Sequence, residues 1–238
     1  MTARPLSTAL KCLDLLDVIA AQPGPVRISS LGRLIGETRA TTYQRLLTLT
    51  TAGWLERLPD GSYRLSMHAC RIANAAMEQA GFGERAQPVL DALAAQTGET
   101  CSLVVLEGDR VVIAQRVESR GILRADLRVG AELSYKDSAS GKVWLAYGPP
   151  DLMPRLIRAG IETASELELE RVREDEVAVG GGGGTLQGIG VVAVPILDRY
   201  GGCRASMSVV CPETRFDLEK LLPPLRTAAA KLTDLPTL

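Results

Sequence analysis

Apolar positions in the first 80 residues recur at helical spacing. Leu6, Leu10, Leu13, Leu16 and Ala20 fall three or four apart and predict an amphipathic helix to about Ala21. Gln22-Pro23-Gly24-Pro25 stops it. Ser29 or Ser30 can cap a short second helix with Leu31, Leu34 and Ile35 on one face, broken by Gly36. A third helix opens near Thr38 and carries Leu46, Leu47 and Leu49. Two helices of this size around a tight glycine turn form the helix-turn-helix pattern. After Gly53, Trp54–Arg57 and Ser62–Leu65 flank Pro59-Asp60-Gly61, an Asp-Gly hairpin signal. A hairpin directly after a helix-turn-helix is a wing. From Ser66 to about Ala80 a linker helix follows, with Ala69, Ala73, Ala76 and Ala80 on one stripe, ended by Gly81 and Gly83.

The remainder alternates differently. A helix near Glu84–Thr97 carries Val89, Leu90 and Leu93, and strands at Cys101–Leu106 and Arg110–Val117 meet at a Gly108-Asp109 turn. A third strand-like run, Ile122–Arg128, precedes a helix over Ser138–Tyr147, and two more helical stretches reach to Val179. Strands Ile189–Leu197 and Arg204–Val210 bracket Asp198–Gly202, and a final helix follows Thr214, which Pro223-Pro224 should kink or split. Hairpins with flanking helices predict an α+β domain built on an antiparallel sheet. The expected division is a winged helix-turn-helix over residues 1–65, a linker helix over 66–82 and the α+β domain over 83–238.

Of the 238 residues, 46% are apolar and 23% charged, as in soluble globular proteins, and only 4% are aromatic, so Ala, Val, Leu and Ile must build the cores. The net charge of −1 speaks against a polyanionic partner until it is split by region. Residues 1–80 hold nine basic and six acidic residues; the rest hold 18 and 22. A +3 head thus sits on a −4 body. That is weak electrostatics for one copy, and two heads side by side would engage DNA better.

Five dispersed cysteines without a Cys-x-x-Cys pair, and one histidine, argue against a zinc site and fit the reducing cytoplasm. The cysteines read as core fillers and His68 as a surface or interface residue. No metal, cofactor or catalytic residue is expected. Val177–Leu197 is free of charge for 21 residues, but seven are glycine, so it reads as a flexible loop entering a buried strand, not a membrane span. There is no Gly-x-Ser-x-Gly elbow, and Ser140-Gly141-Lys142 lacks the rest of a P-loop. Lys142 can face either a pocket or the helix surface. An enzyme using a C-terminal pocket, with the head as an interaction module, is the alternative reading.

Chemistry concentrates at the start of the third helix. Arg39, Thr41, Thr42, Tyr43, Gln44 and Arg45 occupy its first turns, and leucines fill the later ones. A recognition helix needs this division, because its N-terminal side chains meet base edges and phosphates while the rest packs inward. Arginine bridges guanine O6 and N7, and hydroxyls and amides serve phosphates or bases. Arg64 would add a contact from the wing.

This order of elements resembles the IclR family of bacterial transcriptional regulators, and the resemblance covers nearly the whole chain. It is carried by Thr48-Leu49 with Gly53, by the wing Asp60-Gly61-Ser62-Tyr63-Arg64-Leu65, and by Pro88-Val89-Leu90 through Thr97-Gly98-Glu99-Thr100. Val129-Gly130 with Leu133, Ser138-Ala139-Ser140-Gly141-Lys142, Val192–Ile196 with Asp198, and Ser206-Met207-Ser208 with Pro212 complete it. Thr38-Arg39-Ala40 looks most like the branch controlling aromatic-acid catabolism. The resemblance implies a repressor or activator bound to double-stranded operator DNA as a homodimer or homotetramer. Its C-terminal domain, GAF- or profilin-like, would bind a small-molecule effector, often an organic or aromatic acid.

Carried over by position, Leu133, Ala139, Val191 and Ser208 would line that pocket, and Ser138, Ser140 and Ser208 would offer it hydroxyls. The turn opening a helix at Ser138 offers backbone N–H groups suited to a carboxylate. The chain departs from the family at three points. Gly180–Gly184 replaces an acidic cluster, Val210 a second pocket serine, and Val191 a cysteine. A more apolar pocket, a looser lid and an effector bulkier or more hydrophobic than a two-carbon acid are expected. Regulation would work through the spacing or mobility of two heads, with the alanine stripe of the linker helix as their contact.

Overall fold

A computed structural model describes residues 4–79, 82–119, 128–181 and 188–233. The chain divides into two compact units, Met1–Met77 and Glu78–Leu238. No helix among the described residues is long and apolar enough to cross a membrane.

In the first unit, α1 (Ser7–Ala20), α2 (Ile28–Ile35) and α3 (Arg39–Thr51) surround a core of Leu15, Leu16, Ile19, Leu31, Leu46 and Leu49. The α1 stripe differs from expectation: Leu6, Leu10 and Leu13 are exposed, while Leu15, Leu16 and Ile19 face inward. The helix carries leucines on two sides, and packing on α2 and the wing selects the side that Ile19 completes. In α2 only Leu31 is fully buried and Leu34 is exposed. Neither serine caps α2; its N-cap is Arg27, without a side-chain bond. Gly36 ends it with a left-handed φ of 66°, which lets the chain turn at once into α3.

Strands β1 (Leu55–Arg57) and β2 (Tyr63–Leu65) pair antiparallel, Leu55 opposite Leu65. Val26 and Tyr63 exchange both backbone hydrogen bonds at 2.8 Å, pinning this hairpin to the α1–α2 connection. Helix α4 (His68–Gln79) follows, and His68 packs edge-on against Trp54 with ring centroids 4.7 Å apart.

The second unit is a six-stranded antiparallel sheet in the order β5-β4-β3-β8-β7-β6. Its strands are β3 (Thr100–Glu107), β4 (Arg110–Val117), β5 (Glu132–Leu133), β6 (Ala178–Gly181), β7 (Ile189–Leu197) and β8 (Cys203–Pro212). The hydrophobic runs of β3, β7 and β8 are nearly continuous because both faces are covered. Helices α5 (Gly83–Thr97) and α9 (Leu218–Ala230) pack on one face. Helix α6 (Ala139–Tyr147) lies on the other and packs in turn on α8 (Glu166–Asp175), and α7 (Leu152–Arg158) joins the core of Tyr135 and Trp144.

Two expectations change, and a third falls outside the described residues. The glycine run is not all loop: Gly180 and Gly181 belong to β6, paired with Val191 and Gly190. The strand expected over 122–128 lies almost wholly outside the described residues. Helix α9 is not split at Pro223 and Pro224: it continues from Leu218 to Ala230 with Leu221, Leu225, Ala228 and Ala229 buried along it, at the loss of two backbone rungs.

Candidate functional site

The first turn of α3 is organised by Thr38. Its side-chain oxygen accepts the Thr41 N–H at 3.2 Å, and its carbonyl accepts the Thr42 hydroxyl at 2.9 Å. Thr42 is therefore fully buried and turned back on the helix, whereas Arg39, Thr41, Tyr43 and Gln44 point to solvent. Arg45 is engaged too. Its guanidinium lies 2.7 Å from Glu37, which also meets Lys11 at 3.5 Å, and the Arg45 side chain is only 11% exposed. On the wing, Arg64 and Glu56 sit opposite each other and form an exposed pair at 2.9 Å. The Asp60 carboxylate accepts both the Ser62 N–H and its hydroxyl, which holds its pKa below the ordinary value and fixes the turn. Among the described residues, Arg39 at the head of α3 carries no ion pair.

In the second unit, Leu133, Ser138, Ala139, Ser140, Val191 and Ser208 come from four different elements and one turn, yet line one cavity. Sequence reasoning missed Ser102, Val104 and Ile113 on the same walls. The parity of β3 held that signal: Ser102 and Val104 point the same way, and the register sets Ser102 opposite Ser208. About 20 Å³ is enclosed, room for one water, within a hollow of about 340 Å³ counted to its open mouth. No charged side chain lines it.

Helix α6 supplies one wall. The Ser138 hydroxyl accepts the Gly141 N–H at 2.9 Å and donates to the Ser134 carbonyl at 2.6 Å, so it is committed to the cap. The turn offers a ligand its backbone and Ser140. Strand β6 closes against this turn at Gly180, where a Cβ would sit 2.5 Å from the Ala139 nitrogen and 2.7 Å from the Asp137 carbonyl. Only glycine fits there. Lys142 faces neither the pocket nor open solvent: it holds Glu168 at 3.1 Å and the Val179 carbonyl at 3.3 Å, tying α6 to α8 and β6. Hydrogen bonds from Ser165, then Lys142, pull the Glu168 carboxyl down to about 2. No group of three potential metal ligands occurs among the described residues.

The family model for the IclR helix-turn-helix domain matches residues 8–59, and that for the bacterial transcriptional regulator IclR C-terminal domain matches residues 74–234. The transcriptional regulator SauR of Cupriavidus necator is 29% identical over 95% of each chain. The DNA-binding transcriptional repressor YiaJ of Escherichia coli is 27% identical over 93% of this chain and 85% of its own. A solved structure of an IclR homologue complexed with 4-hydroxybenzoate, from Microbacterium hydrocarbonoxydans, shares the fold with a TM-score of 0.79, 22% identity and coverage of 95% and 98%. These relatives are regulators, and the alternative of an enzyme is not favoured. A helix-turn-helix unit and an effector-type α+β unit in one chain are thus accounted for together: the chain belongs to the IclR family of bacterial transcriptional regulators.

Proposed function

We propose that this regulator reads operator DNA through Arg39, Thr41, Tyr43 and Gln44 of α3, with Arg64 following from the wing. Thr42 and Arg45 then act from behind, by fixing the first turn and anchoring the helix to Glu37. The observation that carries this reading is the exposed polar first turn of a helix that Leu46 and Leu49 anchor in the core, while Leu47 stays exposed. The functional division is residues 1–65 for DNA, 66–82 for the linker and 83–238 for effector binding and oligomerisation. The protein acts in the cytoplasm as a homodimer or homotetramer, because a head of charge +3 needs a second copy to hold a paired site.

The effector is a small organic acid or a related catabolite, aromatic acids among the candidates, as the 4-hydroxybenzoate bound to the Microbacterium hydrocarbonoxydans homologue suggests. It binds between the α6 turn and the sheet, where Leu133, Ala139, Ser140, Val191 and Ser208 converge. The positive end of α6 favours a carboxylate there. Benzene fills a cavity of about 150 Å³, so the enclosed space must widen to admit an aromatic acid. Closed and liganded forms are two states, and the effector favours the second.

Gel shifts on DNA from the protein's own upstream region, with and without 4-hydroxybenzoate, test this. Arg39→Ala should lose the shift while keeping ligand affinity, and its salt slope should fall by about one. Unchanged DNA affinity in that variant would refute the reading.

A further inference from the structure

We propose that Ser102 is a specificity residue of the effector pocket, and that the effector therefore carries oxygen functions at two opposite ends. This deepens the reading of the pocket given above and rests on it. Ser102 is 2% exposed, its residue lines the cavity, and its hydroxyl oxygen has no hydrogen-bond partner among the described residues. A buried hydroxyl left this way is costly, and a ligand oxygen relieves the cost where a hydrocarbon does not.

Position decides which end of a ligand it meets. Ser102 sits in the centre of the sheet, on β3, with Ser208 beside it on β8 and Arg116 on the other side, opposite it on β4. The α6 turn forms the facing wall, since α6 lies across this side of the sheet. A carboxylate at the α6 turn leaves the far end of the ligand directed at the sheet. Val104, Ile113, Val191 and Val210 line the same cavity and demand an apolar body. The fitting class is a monocarboxylic acid with a hydroxyl or carbonyl at the end remote from the carboxylate. An analogue lacking that oxygen leaves Ser102 unsatisfied, the situation in which binding sites discriminate most strongly.

Calorimetric titration of the full-length protein with 4-hydroxybenzoate and with benzoate tests this. The wild type should prefer 4-hydroxybenzoate by about tenfold or more. Ser102→Ala should lose that preference by weakening 4-hydroxybenzoate alone, leaving benzoate within twofold. Its melting temperature should equal or exceed the wild-type value, since an unsatisfied hydroxyl has been removed, and that measurement separates lost recognition from misfolding. Equal loss for both compounds would put the carboxylate at Ser102, beside Arg116, and overturn the two-ended arrangement. No change for either would remove Ser102 from recognition. Failure of both compounds to bind the wild type would instead defeat the aromatic-acid reading beneath the proposal, and is told apart because it needs no variant.

Discussion

Gly141→Ala sets two physical effects against each other. Gly141 is the third residue of α6, with no positive φ, so helix propensity alone favours alanine by about 1 kcal/mol. Packing says the reverse. A Cβ there would collide with the Ser134 carbonyl oxygen and stand 2.8 Å from both the Ser138 hydroxyl and the Tyr135 Cα. The first and last of these are backbone, so no side-chain rotation relieves them. Tyr135 is 3% exposed in a core with Val111, Ile113 and Trp144, and shifting its backbone disturbs that packing. Overpacking of this kind costs about 1–3 kcal/mol, at times more, and outweighs the propensity gain. A net loss of up to about 2 kcal/mol should lower the melting temperature of the second unit by up to about 8 °C.

The matched control is Gly32→Ala in α2. Its nearest neighbours would be the Glu37 carbonyl at 3.3 Å and the Thr42 hydroxyl at 3.6 Å, so the propensity gain should survive or cancel. Thermal unfolding of the full chain, followed by circular dichroism, reads both variants. A Gly141→Ala protein as stable as wild type would show that this turn is soft, and would refute the packing argument.

Ser165→Ala removes the Ser165 hydroxyl bond, the second-largest cause of the low Glu168 pKa, and keeps the backbone N–H that is the largest. The folded carboxyl titrates near 2 against an ordinary 4.5, so its contribution is complete above about pH 4.5 and fades as pH falls toward 2. The stability gap between wild type and variant should narrow over that window in thermal melts, down to the pH-independent part of the cap; a constant gap contradicts it. For the ion pair joining Glu99 to Arg215 at 2.7 and 2.8 Å, Arg215→Ala should cost more than Glu99→Ala, because it strands a buried carboxylate whereas Arg215 remains half solvated. Denaturant titration giving the opposite order would reject this. Burial pushes the Cys101 and Cys203 thiols up to about 12 and Cys211 up to about 11, while Cys70 is exposed. Maleimide labelling at pH 8 should mark Cys70 first and these three only after unfolding; fast native labelling of Cys203 would contradict its packing.

Elements with strong local signals were readable from the chain. The Asp60-Gly61 and Gly108-Asp109 turns, Gly36 and the strand Ile189–Leu197 all depend on residues close in sequence. What escaped depends on contacts made across the fold. The α1 leucines are periodic on two faces, and only α2, α3 and the wing decide between them. Strand β6 is short and glycine-rich, so its pairing with β7 leaves little trace in composition. Ser102 was passed over as one polar residue in an apolar strand; only the order β4-β3-β8 brings it beside Ser208. Thr42 and Arg45 matched the chemistry of base recognition, but chemistry alone does not reveal that the helix cap and Glu37 already hold them.

The paired hydrogen bonds between Val26 and Tyr63 bear on how this head tolerates inserted and deleted residues. They fix the turn-side end of the wing's second strand from outside the hairpin, so Tyr63 stays inward and Arg64 outward whatever the length of the tip. The tip closes on itself through Leu58 to Ser62 and Gly61 to Leu58. Extra residues between Leu58 and Ser62 should therefore lengthen the wing without turning it. A single deletion between Pro23 and Val26 is different: it draws Val26 off Tyr63, and the whole strand is then free to slip by one and exchange its two faces. Sequence drift in such heads is expected at the tip, and a tag or spacer belongs there.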